Sequence, residues 1–243
     1  MAATTEVKIY PKPKKVAKRV ALEIRRLVLS ANSDRFDIAL SGGTTPKKLF
    51  KSLVDQYKNI LPWERIHFWW GDERCVPPDD DQSNFKMTFD TLFSKLEIPA
   101  DNIHRIRGEK NPEEEAERYA AEIADNLELR NGVPVFDLII LGLGEDGHTA
   151  SIFPDQLDLL KVDKLCAVAT HPESGQKRIT LTGKVINNAN NIFFLVTGQQ
   201  KAKRLSEIMN NEEVAQNHPA AHIEPHEGSV IWFIDETAAL EIG

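Results

Sequence analysis

Phe136-Asp137-Leu138-Ile139-Ile140-Leu141, running straight into Gly142-Leu143-Gly144-Glu145-Asp146-Gly147-His148-Thr149, is the stretch that decides the fold. Six residues, all apolar but one, have strand length. Their lack of polar alternation is expected of a strand covered on both faces, as inside a parallel sheet. Upstream, Phe36 to Leu40 is a second short apolar run ending in Ser41-Gly42-Gly43, and Ile66 to Trp70 is a third, ending in Gly71-Asp72-Glu73-Arg74. Ile179 to Leu181, Ile192 to Val196 and Val230 to Ile234 read as further strands.

Helical patterns fall between these runs. Val16, Val20, Ile24 and Leu27 recur at helical spacing over Lys14 to Leu29. Pro46 suits the first turn of a helix reaching Tyr57. Ser83 or Asn84 can cap a helix over Phe85 to Phe93, and Asn111-Pro112 opens one over Glu113 to Leu129, whose three leading glutamates match the positive end of the dipole. Gln199 to Met209 is a further helix, and a short one is expected from Glu236. This alternation predicts an α/β fold, a mostly parallel sheet with helices on both faces. Ligands of such sheets bind beyond the carboxyl ends of the strands, where three polar, glycine-containing segments of this chain lie.

Composition narrows the class. Among 243 residues, 41% are apolar and 28% charged, a balance that excludes disorder as the main state. Thirty Lys and Arg against 37 Asp and Glu give −7, which argues against general affinity for nucleic acid or anionic membrane but allows a local basic pocket. The apolar stretch 135–143 is far short of the roughly 20 residues of a membrane span, and the first fifteen residues contain no apolar signal core. Cys75 and Cys166 form neither a disulfide framework nor a zinc pattern. No repeat or linker is visible. The expectation is one cytoplasmic domain over 1–243, with the oligomeric state left open.

Three loops carry candidate chemistry. In Ser41-Gly42-Gly43-Thr44-Thr45-Pro46, two glycines, successive N–H groups and hydroxyls at a helix start can surround a phosphate, although an ordinary tight turn with a capped helix reads the same way. It lacks the Gly-Lys-Ser/Thr ending of a Walker loop. In Gly71-Asp72-Glu73-Arg74-Cys75-Val76-Pro77, the strand-end position favours a working role for Asp72 and Arg74, whereas Asp79 to Asp81 read as an exposed tip. In the third loop, Gly142, Gly144 and Gly147 match the dinucleotide pattern G-x-G-x-x-G. However, Pro154 follows too soon for the long helix that pattern requires, and several strands precede it. What this loop offers is His148, with Asp146 two residues before it, as a base whose tautomer a carboxylate can fix. Arg178 opens the strand Lys177-Arg178-Ile179-Thr180-Leu181-Thr182 and can close over a phosphate. His67, His104, His171, His218, His222 and His226 show no metal spacing, and no Gly-x-Ser-x-Gly elbow is present.

Taken together, SGGTTP at 41–46, GDERCVP at 71–77 with Ser83-Asn84, GLGEDGHTASIFP at 142–154 and KRITLT at 177–182 resemble the 6-phosphogluconolactonase family. The resemblance implies the three-layer, Rossmann-like α/β fold shared with glucosamine-6-phosphate deaminases and ribose-5-phosphate isomerases. It also implies hydrolysis of 6-phospho-D-glucono-1,5-lactone in the oxidative pentose phosphate pathway, without metal or nucleotide cofactor. Asp155, where many relatives have glycine, and Glu145, often proline, depart from the pattern without removing a chemical group.

The related deaminases share SGG-x-TP and DGH but continue HIAFNEP, with a glutamate five residues after the histidine. Phe153 holds that place here and cannot carry a proton, so hydrolysis is favoured over deamination. A sugar-phosphate sensor would have no use for His148. The expected roles are a phosphate cradle at Ser41, Gly42, Gly43, Thr44 and Thr45, aided by Arg178, and His148 as general base. Arg74 is expected at the developing oxyanion or gripping the substrate, with Asp146 or Asp72 orienting His148 or holding sugar hydroxyls.

Overall fold

The computed structural model describes residues 4–225 and 227–242. In chain order, β1 (Thr4–Tyr10) leads to α1 (Pro13–Ser30), β2 (Phe36–Leu40), α2 (Thr44–Tyr57), β3 (Ile66–Trp70) and β4 (Asp72–Arg74). Next come α3 (Asn84–Thr91), α4 (Pro112–Asn126), the short pair β5 (Leu129–Arg130) and β6 (Val133–Pro134), and β7 (Leu138–Leu141). The chain closes with β8 (Cys166–Thr170), β9 (Lys177–Leu181), α5 (Gly183–Ile186), β10 (Asn191–Val196), α6 (Ala202–Met209) and β11 (Ser229–Asp235).

Six strands form one sheet in the order β1-β11-β10-β7-β2-β3, every neighbouring pair parallel. β2 and β7 lie side by side in its interior, Ile38 opposite Leu138 and Ala39 opposite Ile139. All residues of both strands are buried, as the apolar run of β7 and the run of β2 broken only by Asp37 require.

The two faces are legible in β3. Phe68 and Trp70 point one way and pack edge-on against Phe93, with Trp70 also against Phe85 of α3. Trp69 points the other way, against Tyr119 of α4 and Phe136. Helices therefore cover both faces, as the alternation predicts. A fully buried aromatic or branched side chain of this kind contributes roughly 1.5–3 kcal/mol over its exposed state.

Helix starts follow their sequence signals. Ser83 accepts from the Lys86 N–H at 3.1 Å, and the Asn111 side chain accepts from the N–H groups of Glu113 and Glu114, both at 3.1 Å. α4 stops at Asn126 rather than 129 because Leu127 turns extended (φ −95°, ψ 150°) to enter the β5–β6 hairpin. After Asp235 the chain makes turns, not the expected helix.

The larger departure is a second sheet. The strand at 179–181 does not join the parallel sheet. β9 lies between β4 and β8 in an antiparallel sheet of order β4-β9-β8. Gly71 joins the two sheets, its N–H donating to Leu40 and its carbonyl accepting from Leu181. The segment Asp72-Glu73-Arg74, expected as a loop, is thus a strand whose Arg74 lies opposite Arg178. No helix among the described residues is long and apolar enough to cross a membrane.

Candidate active site

The order of the parallel strands places the site. From β2 the chain steps outward to β3; from β7 it steps the opposite way, to β10 and β11. The loops leaving the carboxyl ends of β2 and β7 therefore part from each other and open a crevice between them. A cavity of about 450 Å³ lies there, lined by Ser41, Gly42 and Gly43 from the first loop and by residues 142–146, His148 and Ala150 from the second. β4 and β9 supply Asp72, Arg74 and Arg178 to its wall. The segments of sequence singled out for chemistry converge on one chamber.

Within it, His148 Nδ1 lies 2.6 Å from Asp146 Oδ1, and the same oxygen accepts the His148 backbone N–H at 3.0 Å. Burial by itself raises the Asp146 carboxyl, but the hydrogen bonds and charge of His148 outweigh it and hold the carboxyl at about 2. An ionised carboxylate only accepts, so Nδ1 carries the proton and Nε2 is left as the basic nitrogen, with no partner among the described residues. Gly144 permits this pairing: a methyl group there would stand 2.2 Å from His148 Nδ1 and 2.4 Å from Asp146 Oδ1. Asp72, the other candidate orienter, instead accepts from Ser151 Oγ at 2.6 Å. Ala150, between them, holds φ +49°, a strained value for a residue with a side chain.

Arg74 and Arg178 face each other as register partners on adjacent strands, two like charges against one chamber. The Nε of each is buried without a hydrogen-bond partner among the described residues. Burial pulls Arg178 below the usual arginine range, with the neighbouring Arg74 charge adding to the effect and Asp72 opposing it. The guanidinium lies 5.6 Å over the Phe153 ring, and the His148 ring sits 5.0 Å from the same phenylalanine. Phe153, fully buried, is thus an apolar support shared by the base and the cation.

The 41–46 turn borders the cavity along its first half. Its backbone lines the cavity through Gly43, and the N–H groups of Thr44 and Thr45 open α2, where no intrahelical carbonyl can reach them. Thr45 is buried, and its Oγ1 shares a 2.8 Å hydrogen bond with Thr197 Oγ1 in which either hydroxyl can donate. Neither Thr44 nor Thr45 lines the cavity.

Sequence reasoning missed several wall residues. Lys201, three residues past Gly198 in the turn that follows β10, lines the chamber with its ammonium 3.9 Å from Glu145 Oε1, and burial lowers its pKa. The signal was present, a strand, a glycine and a helix start as at 41–46, but without a phosphate-like run of small residues. Asn84 lines the cavity and donates Nδ2 to the Asp72 carbonyl at 2.9 Å. Glu73 was also overlooked. It is buried, and its carboxylate accepts from Ser83 Oγ and from the N–H groups of Arg74, Asn84 and Phe85 at 2.8–3.0 Å, locking β4 to the start of α3. Burial still leaves its pKa raised.

Of the remaining histidines, His171 lines the cavity. His67 and His104 pair with each other at 3.0 Å at the opposite face of β3, and His226 lies outside the described residues.

A family model described as glucosamine-6-phosphate isomerases/6-phosphogluconolactonase matches residues 11–232. The chain belongs to this family. A 6-phosphogluconolactonase of Haemophilus influenzae is 43% identical over 94% of this chain and 96% of its own length. A crystal structure of a protein named devB superposes with a TM-score of 0.93 at 45% identity, covering 99% of this chain and 100% of that one. The structure of a monomeric glucosamine-6-phosphate deaminase shares the fold at a TM-score of 0.81 and 18% identity, over 97% of this chain and 99% of its own. The family's two named activities thus ride on one α/β scaffold, and the site residues must separate them.

Proposed function

We propose that this member of the family is a 6-phosphogluconolactonase, hydrolysing 6-phospho-D-glucono-1,5-lactone to 6-phospho-D-gluconate with His148 as general base. The observation that carries the reading is the gathering in one chamber of an imidazole with Nδ1 fixed on a carboxylate, two arginines with unused Nε donors, and the glycine turn that opens a helix.

The substrate phosphate sits on the main chain of Gly42 and Gly43 where α2 begins, with the N–H groups of Thr44 and Thr45 behind them and Arg178 and Lys201 supplying charge. Pro46 has no N–H, so the cradle ends there. With the phosphate anchored, the C1 carbonyl lies toward His148. Nε2 takes a proton from water as the water oxygen bonds to C1, and Arg74 stabilises the oxyanion that develops. The C1–ring oxygen bond then breaks, the ring oxygen receives the proton from the imidazolium, and the product acid ionises. Asp72, tied to Ser151, is placed to accept a sugar hydroxyl. A lactone needs no ring opening before attack, so Phe153 suffices where a deaminase would need an acid. A phosphorylated metabolite does not diffuse through membranes, which supports a cytoplasmic site of action.

The test is acid release from lactone generated in situ, corrected for spontaneous hydrolysis, beside an ammonia-release assay with glucosamine 6-phosphate. Lactone turnover with no ammonia is expected. His148→Ala should lose about 10²–10⁴-fold in kcat; wild-type kcat in that variant would remove His148 as the base, and ammonia release would replace the reading with deamination.

A further inference from the structure

Asp146 fixes the His148 ring from a loop that is open to the cavity on one side. The other side is gripped from behind by groups that do not line the cavity at all. Arg204 of α6 donates Nε to the carbonyl of Glu145 at 3.0 Å and Nη1 to both carboxylate oxygens of Glu207, at 2.8 and 2.7 Å. Glu207 Oε2 also meets His218 Nε2 at 2.7 Å. The buried His218 ring presses on Gly147, which holds φ +93°; a methyl group at that glycine would stand 2.6 Å from the ring. The Gly147 carbonyl accepts from the Ala220 N–H at 3.1 Å. The residues immediately before and after Asp146 are therefore both anchored, and both anchors run to one buried carboxylate.

Burying Glu207 is costly unless its oxygens are filled, and a bifurcated contact from one arginine nitrogen and an imidazole fill them. An apolar cluster would stabilise the packing of α6 as well, but it would not hold a carbonyl at 145 and a backbone turn at 147 to fixed points. Such fixation matters here because a base displaced by about 1 Å from its working geometry loses about 100-fold in rate.

We propose that Glu207 is a positioning residue for the reaction, acting through Arg204 and His218 to hold residues 145–147 so that Asp146 stays on His148 Nδ1. The proposal rests on the lactonase reading for its kinetic consequence, but its structural consequence is independent of substrate.

The experiment compares wild type, Glu207→Gln, Arg204→Met and Arg204→Lys by lactone kinetics, thermal melting and long-range proton–nitrogen spectra of the histidine rings, with His148 assigned by its loss in His148→Ala. Glu207→Gln and Arg204→Met should lower kcat about 10- to 100-fold with KM within about twofold. The Nδ1–H signal of His148 should weaken or shift toward a mixture of tautomers, and Arg204→Lys should recover part of both. A folded Glu207→Gln or Arg204→Met protein with lower melting temperature but wild-type kcat and His148 spectrum overturns the proposal, as does a rise in KM with kcat intact. If Glu207→Gln does not fold, Arg204→Met, altered at a partly exposed side chain, decides alone. Absence of turnover by the wild type would sink the lactonase reading instead, and the spectra would still judge the positioning role.

Discussion

Gly42 and Gly144 stand at comparable places, two and three residues beyond the carboxyl ends of the neighbouring parallel strands β2 and β7, and each lacks a side chain for a different reason. The space a methyl group would take at Gly42 is held by Asn84, 1.9 Å from it, a residue of another element that also grips the Asp72 carbonyl. At Gly144 the space is held by the loop's own His148 and Asp146. The first loop therefore presents main chain to the ligand and leaves side-chain work to its neighbours. The second folds its side chains back over its own main chain and presents them as a unit. On the proposed mechanism binding and chemistry are divided between these two turns, and substitutions should separate KM from kcat along that division.

The sharpest way to break the comparison is Gly144→Ala. The added methyl group must push His148 or Asp146 aside without removing any charge, so kcat should fall about 100-fold while KM stays near wild type. Equal loss in KM would mean that the 142–149 loop also carries ground-state binding. On the binding side of that division, Arg178→Met keeps much of the apolar stem over Phe153 but removes the charge. A charge-assisted contact to phosphate is worth about 1.5–3 kcal/mol, so KM should rise about 10- to 100-fold with a smaller change in kcat. A kcat loss exceeding the KM change would move Arg178 from the phosphate to the reacting carbonyl.

The Asp146 carboxyl gives a smaller, pH-dependent effect. Its folded pKa, about 2, lies below the ordinary 3.8, so it favours the folded state fully above the ordinary value, and this contribution is lost as pH falls through about 2. Asp146 is part exposed, and screening reduces the effect. Asp146→Asn should therefore melt below wild type at neutral pH, and the gap should close as melts are repeated toward pH 2. A gap independent of pH would mean that the asparagine disturbs packing rather than an ionic pair.

The same division explains what could be read from the chain alone. β2, β3, β7, β10 and β11 are apolar runs whose burial is dictated by composition, and α1, α2 and α4 announce themselves by period and caps. β1, β4 and β8 do not. β1 is an edge strand with Val7 and Ile9 exposed, so burial leaves no mark on it. β4 is three charged residues, made a strand by pairing with β9 more than a hundred positions away. Within the site, Asp146 and His148 are two positions apart and their pairing is local, but nothing local says that Asp72 is already engaged. Its partner Ser151 is 79 positions distant. Lys201 reaches the cavity because β10 lies beside β7, a fact of strand order rather than of its own neighbours in sequence.

Thr45 is the smallest effect and the closest test of how the cradle is built. A threonine at a helix start beside two glycines reads as a phosphate ligand through its hydroxyl. In the structure that hydroxyl is shared with Thr197, tying the turn after β2 to the turn after β10, two strands away across the sheet. If the phosphate is held by the main chain, Thr45→Val keeps the shape and the N–H group and loses only the tie. The expected result is a loss of about 1 kcal/mol in stability from one buried hydroxyl pair, read as a lowered melting temperature, with KM and kcat within about twofold of wild type. A KM rise of tenfold would return the hydroxyl to the phosphate and make the first loop a side-chain site like the second. The contrast between Gly42 and Gly144 would then be one of degree, because both loops would hold the ligand through groups beyond their main chain.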